Sequence, residues 1–451
     1  MTVIGLDDTD SREQGMCTTY LATLVAETVE AAGGTVSDRL LVRLNPAVEH
    51  KTRGNAALAL HTDLAVDEAF ALARDRLTEL AVTDDPRTSP GLVVAPGDPA
   101  DVPDRVADFA RDALRAHHSI ADAVALADEA GYRHAGWGVG RGRIGALAAI
   151  GADAAFDDWT YEHVSYRAFD RCGTPRDVDY DSVFAAADAG YPAVWDTVDR
   201  VEGQAVCVPR APGPILYGIR GDDPESVTAV AAAIDGETVD RTSLFRTNQG
   251  TDAHLQDVAV TRPTDLADGA AYRLSGTVAS VPETREGGHV FLDVALPDVV
   301  GDGGADEPTV GATVGASERS DGSDADFTCV AFEPTKRFRE RVRALRPGDR
   351  LTVCGEVSER TLKLEKFAVR ELNRVELTTP TCPDCARSME SAGRNQGYRC
   401  RDCKTSRPGK VEVAVDRDLE LGWYEVPPCA RRHVAKPLVR GGFDAPTHPE
   451  R

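Results

Sequence analysis

Apolar and polar positions along the first 133 residues alternate between two periods. A short apolar run at 3–6 reads as a strand, and helical spacing follows over 20–32, closed by Gly33 and Gly34. Strand-like runs at 39–44, 56–62 and 91–95 are interleaved with a helical pattern over 67–81 and followed by helical patterns after Pro103 and Ser119. Alternating strand and helix predicts an α/β unit over residues 1–133. Residues 134–262 open on a glycine-rich stretch, Gly136 to Gly145, that runs into an apolar segment; strands at 205–209 and 215–219 and a helix at 224–234 then predict an α+β unit. Over 265–375 there are five β-rich runs, at 272–281, 289–296, 327–332, 350–357 and 362–369, with one helix at 336–345 between the third and fourth. That order predicts an OB-fold β-barrel, whose open face binds single-stranded or looped nucleic acid. Residues 297–326, rich in Gly, Asp, Ala and Ser, predict a disordered insertion in the barrel. Residues 378–410 carry paired cysteines, and 411–451 read as a C-terminal extension.

A chain of 451 residues exceeds a single core, which agrees with several domains. It holds no run of eighteen apolar residues and no basic, apolar leader, so a soluble cytoplasmic protein with no membrane partner is expected. The net charge of −23 would oppose a polyanionic partner, but of 51 basic residues only 7 are Lys, and acids stud nearly every polar stretch. That balance predicts adaptation to molar salt, where the Debye length is about 3 Å and global repulsion is screened. The charge is also uneven: residues 328–451 hold 25 Lys and Arg against 18 Asp and Glu, so the last quarter is basic and the rest strongly acidic. A nucleic-acid footprint is expected in that quarter, although small domains with fewer surface acids produce the same bias.

Two stretches carry chemistry. The first strand ends in Asp7, Asp8 and Asp10, and the helix after it begins at Thr18 and Thr19. Carboxylates at a strand end suit Mg²⁺, and a helix start suits phosphate. The competing reading is a solvated acidic turn with a threonine N-cap. The second stretch is Cys382, Cys385, Cys400 and Cys403, two CxxC knuckles whose spacing predicts a closed tetrahedral Zn²⁺ site in a zinc ribbon. Arg399, Arg401 and Lys404 beside it suit a phosphate backbone, or the ribbon is a folding staple only. The other six cysteines are scattered as buried thiols.

The segments IGLDDTDS at 4–11, GMCTTY at 15–20, KTRGN at 51–55, GRGRIGAL at 140–147 and FRTNQGTD at 245–252, with the cysteine pairs, resemble the archaeal tRNA(Ile) agmatinylcytidine synthetases across nearly the whole chain. The resemblance implies a kinase-like domain that uses ATP to phosphorylate one of its own threonines and the wobble cytidine of the CAU-anticodon isoleucine tRNA. It also implies a ferredoxin-like domain, an OB-fold and a zinc ribbon that hold the tRNA. Agmatine then replaces the 2-oxo group of the cytidine, ATP ends as AMP and phosphate, and the codon read changes from AUG to AUA. No obligate protein partner is implied.

On this resemblance Asp7, Asp8 and Asp10 hold metal or activate a hydroxyl, and Thr18 is the acceptor with Thr19 beside it. Lys51 and Arg53 meet ATP phosphates or RNA, or form a basic turn; Gly140 and Gly142 admit phosphate to the backbone, or make a tight turn. Glu162 is a candidate for agmatine or a paired core acid. Arg246, Asn248, Gln249 and His254 read RNA edges or lock a domain junction, and Phe291, Phe332 and Phe338 stack bases or fill the barrel. Two other functions remain open at this level. One is a haloacid-dehalogenase-like phosphatase, because 6–11 also fits an Asp-x-Asp-x-Ser/Thr pattern; the other is a non-catalytic tRNA-binding protein.

Overall fold

The computed structural model describes residues 1–11, 15–48, 55–258, 260, 262–297 and 326–451. The expected barrel insertion therefore lies almost wholly outside the described residues, as do Lys51 and Arg53.

The chain begins with β1 (Thr2–Asp7), α1 (Thr18–Ala31), β2 (Val36–Arg43), β3 (Ala56–Thr62), α2 (Val66–Leu80) and β4 (Gly91–Pro96). Next come α3 (Asp104–Ala113), α4 (Ile120–Glu129), β5 (Arg133–Gly136) and α5 (Arg143–Ala155). A second series follows: β6 (Thr160–Tyr166), α6 (Tyr180–Gly190), β7 (Val194–Trp195), the small ribbon β8 (Val198–Asp199) and β9 (Gln204–Ala205), β10 (Ile215–Gly221), α7 (Pro224–Ala232) and β11 (Arg241–Thr247). All of these strands except the small ribbon join one nine-stranded sheet, ordered β5-β4-β1-β3-β2-β11-β6-β10-β7.

The alternation of strand and helix leaves the direction of strand pairing open, and the structure settles it. Within each half every neighbouring pair is antiparallel; the single parallel pair in this sheet, among the described residues, is β2 with β11. The cause is a split crossover: α1 carries the chain from β1 to β2 but leaves a gap that β3 fills, giving β4-β1-β3-β2, and α6 and α7 build the equivalent order β11-β6-β10-β7. Residue spacing cannot distinguish a filled gap from direct neighbours.

The first half-sheet is buried on both faces. Ile4 and Leu6 point to α1 and α2, with Leu21, Val25, Val29, Ala73 and Leu77, whereas Val3 points to the layer of α3, α4 and α5, with Val106, Phe109, Leu147 and Ile150. The strand expected at 205–209 shrinks to β9, in a loop where Pro209, Pro212 and Pro214 supply no ladder donors.

The next strands are β12 (Leu255–Asp257), β13 (Ala271–Val278), β14 (Glu283–Thr284), β15 (Val290–Ala295), β16 (Asp326–Ala331), then α8 (Phe338–Arg343), β17 (Arg350–Ser358) and β18 (Thr361–Glu371). β13, β15, β16, β18 and β17 close on one another as a five-stranded barrel, with β16 and β18 parallel. Phe338 is buried in its core, while Phe291 and Phe332 are half-buried outside it, the first beneath Arg285 and the second against His289.

The stem β19 (Val375–Thr378) pairs with a later strand across the cysteine unit, whose short strands are β20 (Glu390–Ser391), β21 (Tyr398–Arg399) and β22 (Ser406–Arg407); β23 (Val411–Ala414) completes the stem. Residues 411–451 are more than an appendage. β24 (Gly422–Glu425) joins the barrel sheet beside β18, and β25 (Thr447–His448) joins β24.

Between them the chain crosses back over the nine-stranded sheet, where the amides of Gly250 and Asp252 donate to the carbonyls of His433 and Val434 at 2.8 and 2.9 Å. Buried ion pairs and a buried imidazole–carboxylate contact fix this crossing and the barrel beside it. Arg431 bonds Asp196 and, at 2.7 Å, Glu425; Lys366 Nζ lies 2.7 Å from both carboxylate oxygens of Asp252; and His254 meets Glu365 at 3.0 Å. Breaking such a pair strands a buried charge. Arg431→Met should cost about 3–5 kcal/mol in denaturant unfolding. Arg74→Ala, at an exposed pair with Asp75, should leave the midpoint unchanged.

Candidate functional site

β1 is a central strand, so its last residue, Asp7, opens into the molecule rather than onto its rim. A cleft of about 360 Å³ lies there, lined by Asp7, Asp8, Asp10, Cys17, Thr18 and Thr19 on one side. Gly142 and Gly145 allow this: a Cβ on Gly145 would overlap the Asp7 carboxylate, and one on Gly142 the Asp7 carbonyl, so α5 meets the strand end only because both positions are bare. Gly142 lines the cleft, while Gly140, with φ +66°, sits in the turn leading to it. Their amides already donate, to Ser89 and Trp137 carbonyls at 2.8 and 2.9 Å, so in this conformation the glycines serve close packing rather than a phosphate cradle.

The chain turns sharply after Asp7. Asp8 adopts a left-handed φ of +57°, and its carboxylate accepts from the Ser89 amide at 3.1 Å and from Arg141 at 3.3 Å; Asp7 accepts from the Asp8 amide at 2.6 Å. The three acids therefore share a cleft without meeting at a point. Among the described residues the groups with three or more ligand atoms within 4.8 Å are the four cysteines and Asp252 with His254 and Glu365, not this trio. Burial, reinforced by Asp8 for Asp7, pushes the Asp7 carboxyl well above the usual range, and burial, opposed by Arg141, pushes Asp8 up to about 7. Two acids held above their normal range by burial fit a site that takes a cation.

α1 starts without a side-chain cap, so its first turn offers partial positive charge to the cleft. Thr18, the first helical residue, is nearly buried, and its hydroxyl accepts from Thr9 at 3.3 Å.

A second patch of the lining comes from other elements: Arg43 at the end of β2, Glu162 on β6, Arg220 paired opposite it on β10, and His433 from the returning chain. Gln249 lies behind them. Its Nε2 donates to Glu162 at 2.5 Å, and its Oε1 accepts from Arg43 at 3.2 Å and contacts His433 Nδ1 at 3.1 Å. Burial brings the Arg43 guanidinium down to about 10.

The expected RNA-reading residues behave differently. Asn248 and Gln249 are fully buried, and Asn248 spends its amide on both backbone groups of Arg43, at 2.7 and 3.1 Å. Arg246 bonds Asp38 at 2.7 Å and Asp153 while lying over Trp159. These residues, with His254, lock junctions between elements, and the RNA-edge reading is corrected for Asn248 and Gln249 because no edge can reach them. Arg43, Arg220 and His433 escaped sequence reading, being single polar residues in strands and in a segment without a motif.

The four cysteines form two matched knuckles. Ala386 and Lys404 each take a left-handed φ and donate their amides to the carbonyls of Cys382 and Cys400, and Cys385 Sγ lies 3.6 Å from Cys400 Sγ. Thiolates set tetrahedrally at about 2.3 Å from Zn²⁺ lie about 3.8 Å apart, so the donors fit. Arg399, Arg401 and Lys404 stand exposed on this unit.

The raised Asp8 pKa has a testable sign. Between pH about 4, where the unfolded carboxyl releases its proton, and about 7, where the folded one does, the folded state binds the extra proton, so stability falls as pH rises. In EDTA, Asp8→Asn should therefore melt higher than the parent at pH 8 and alongside it at pH 4; equal curves at pH 8 contradict the assignment.

Comparison with known proteins places this geometry. Residues 3–139 match the TiaS TCKD domain, 140–254 the TiaS FLD domain and 379–419 the TiaS C-terminal zinc ribbon domain. The isoleucine-tRNA 2-agmatinylcytidine synthetase TiaS of Haloquadratum walsbyi is 58% identical over the full length of both chains, and that of Methanosarcina mazei 44% identical over 97% of each. Among solved structures, a complex of TiaS with its isoleucine tRNA and ATP superposes with a TM-score of 0.85 at 38% identity. A complex of TiaS with the same tRNA, AMPCPP and agmatine superposes with 0.83 at 36%, and each comparison covers 100% of this chain and 99% of the other. Similarity of this extent, with the acidic strand end, the threonine pair and the cysteine knuckles all in place, shows that the chain belongs to the TiaS family.

Proposed function

We propose that this chain is an ATP-dependent ligase that joins agmatine to C2 of the wobble cytidine of the CAU-anticodon isoleucine tRNA. The observation that carries the reading is the single cleft in which Asp7, Asp8 and Asp10 face the uncapped, threonine-bearing start of α1. A cytosine carbonyl is a poor electrophile; phosphorylating its oxygen supplies a leaving group. Asp7, Asp8 and Asp10 would hold Mg²⁺, which would neutralise charge on the transferring phosphoryl, while the start of α1 receives phosphate oxygens. Thr18 is the acceptor in the self-phosphorylation, with Thr19 beside it, and Lys51 and Arg53 contribute to the triphosphate or RNA. Glu162 is placed to meet a cationic substrate in the same cleft.

The domain plan follows the same proposal. Residues 1–133 act as the kinase-like domain, 134–262 as a ferredoxin-like domain, 265–375 as an OB-fold, and 378–410 as a ribbon that binds Zn²⁺ and offers Arg399, Arg401 and Lys404 to the tRNA backbone. No helix among the described residues is long and apolar enough to cross a membrane, in keeping with a cytoplasmic tRNA enzyme. Neither the phosphatase nor the non-catalytic alternative is favoured, since similarity to the synthetases runs through every domain.

Incubation with ATP, agmatine and CAU-anticodon tRNA in molar salt should convert one cytidine per tRNA to a nucleoside heavier by the agmatine substituent, read by mass spectrometry of the digest. Unchanged cytidine with folded protein refutes the assignment. With γ- and β-labelled ATP, Thr18→Ala should abolish label on the protein; retained label moves the acceptor to another hydroxyl. Chelation should release one zinc per chain, melt the ribbon and weaken tRNA binding, leaving the main thermal transition in place; absence of zinc in the isolated protein overturns that part.

A further inference from the structure

The chain returning from the barrel inserts His433 into the cleft wall, and the surrounding hydrogen bonds fix its tautomer. Glu162, as a carboxylate, only accepts, so the Gln249 group 2.5 Å from it is the amide nitrogen. The amide oxygen of Gln249 must then face the other way, where it receives Arg43 Nε at 3.2 Å and His433 Nδ1 at 3.1 Å. An oxygen acceptor requires a donor, so the proton of a neutral His433 ring sits on Nδ1 and Nε2 keeps its lone pair. His433 is accessible and lines the cleft, while Nδ1 is taken by Gln249. The positive charge of Arg43, with that of Arg220 added, holds the ring well below its usual pKa and hence neutral near pH 7. This order, carboxylate to amide to imidazole, orients a base as the buried acid of a catalytic triad does.

We propose that His433 Nε2 is the base that receives the proton of the agmatine amine as its nitrogen attacks the activated cytidine. The step rests on the ligase reading above, and it balances. The amine lone pair forms the N–C2 bond, the bond from C2 to the phosphorylated oxygen breaks, phosphate leaves with that electron pair, and the N–H proton passes to Nε2 and then to water. An amine in water is protonated at pH 7, and a cation cannot attack. Arg43 and Arg220, which keep His433 neutral, favour the neutral amine by the same field.

The test separates the two halves of the reaction in the full-length protein. Phosphoryl transfer from γ-labelled ATP to the tRNA is measured without agmatine, and incorporation of labelled agmatine is measured with it. If the parent protein performs neither, the ligase reading fails and not this inference alone. His433→Asn keeps a donor toward Gln249 and removes the ring acceptor. It should lower agmatine incorporation about 100-fold or more while phosphoryl transfer falls at most a few-fold and the melting curve is unchanged. His433→Gly should show the same split, and added imidazole should restore part of the agmatine step. Parental agmatine incorporation in the Asn variant, or an equal fall of both half-reactions in either variant without imidazole rescue, overturns the proposal and leaves His433 a wall residue.

Discussion

The cleft exists because two half-sheets meet along one short parallel seam. Only Arg246 with Leu40 and Thr247 with Leu41 pair β11 to β2, a contact too brief to hold two domains by backbone bonds alone. Asn248 supplies what the ladder lacks by bonding both the amide and the carbonyl of Arg43 just beyond the last pair, and Arg246 ties Asp38 to Asp153 across the seam. Because Arg43 is at once the end of β2 and part of the cleft lining, the junction and the site share one residue. Each half contributes what the other lacks: one the acids and the helix start, the other Glu162 and Arg220.

Charge is organised in two regimes. The acidic surface is screened at molar salt, and exposed pairs such as Arg74 with Asp75 contribute little there. The pairs that matter are dry. Arg167 with Glu237 and Arg417 with Asp349 are buried and keep their attraction where salt does not reach, alongside the ion pairs of the returning chain. A few arginines of the strongly negative chain thus serve interior joints, and its cleft collects both signs within one cavity.

Much of this was legible in the residues, for physical reasons that also mark the limits. β1, β3 and β4 are buried on both faces and so appear as apolar runs, the five barrel strands follow a period of two, and metal-spaced cysteines have few other uses. That Asp7, Asp8 and Thr18 share one cleft could be anticipated because a strand end and a helix start are adjacent along the chain. The antiparallel order was hidden, since spacing records that a helix follows a strand but not which strand fills the gap. Asn248 and Gln249 were visible as a motif that left RNA reading and junction locking both open, because polarity alone does not tell a buried clamp from an exposed reader. Arg43 and His433 were invisible, lying about 390 residues apart in sequence and sharing Gln249 as a hydrogen-bond partner.

The returning segment bears on how the protein is born. A ribosome delivers the α/β halves and the barrel first, each with its own apolar core and so able to settle during synthesis. The stretch that seats Arg431 and His433 is made after them, so it can be seated only on bodies that are already in place. Until that stretch is seated the protein is a folded but unfinished body, its reaction chamber lacking one side.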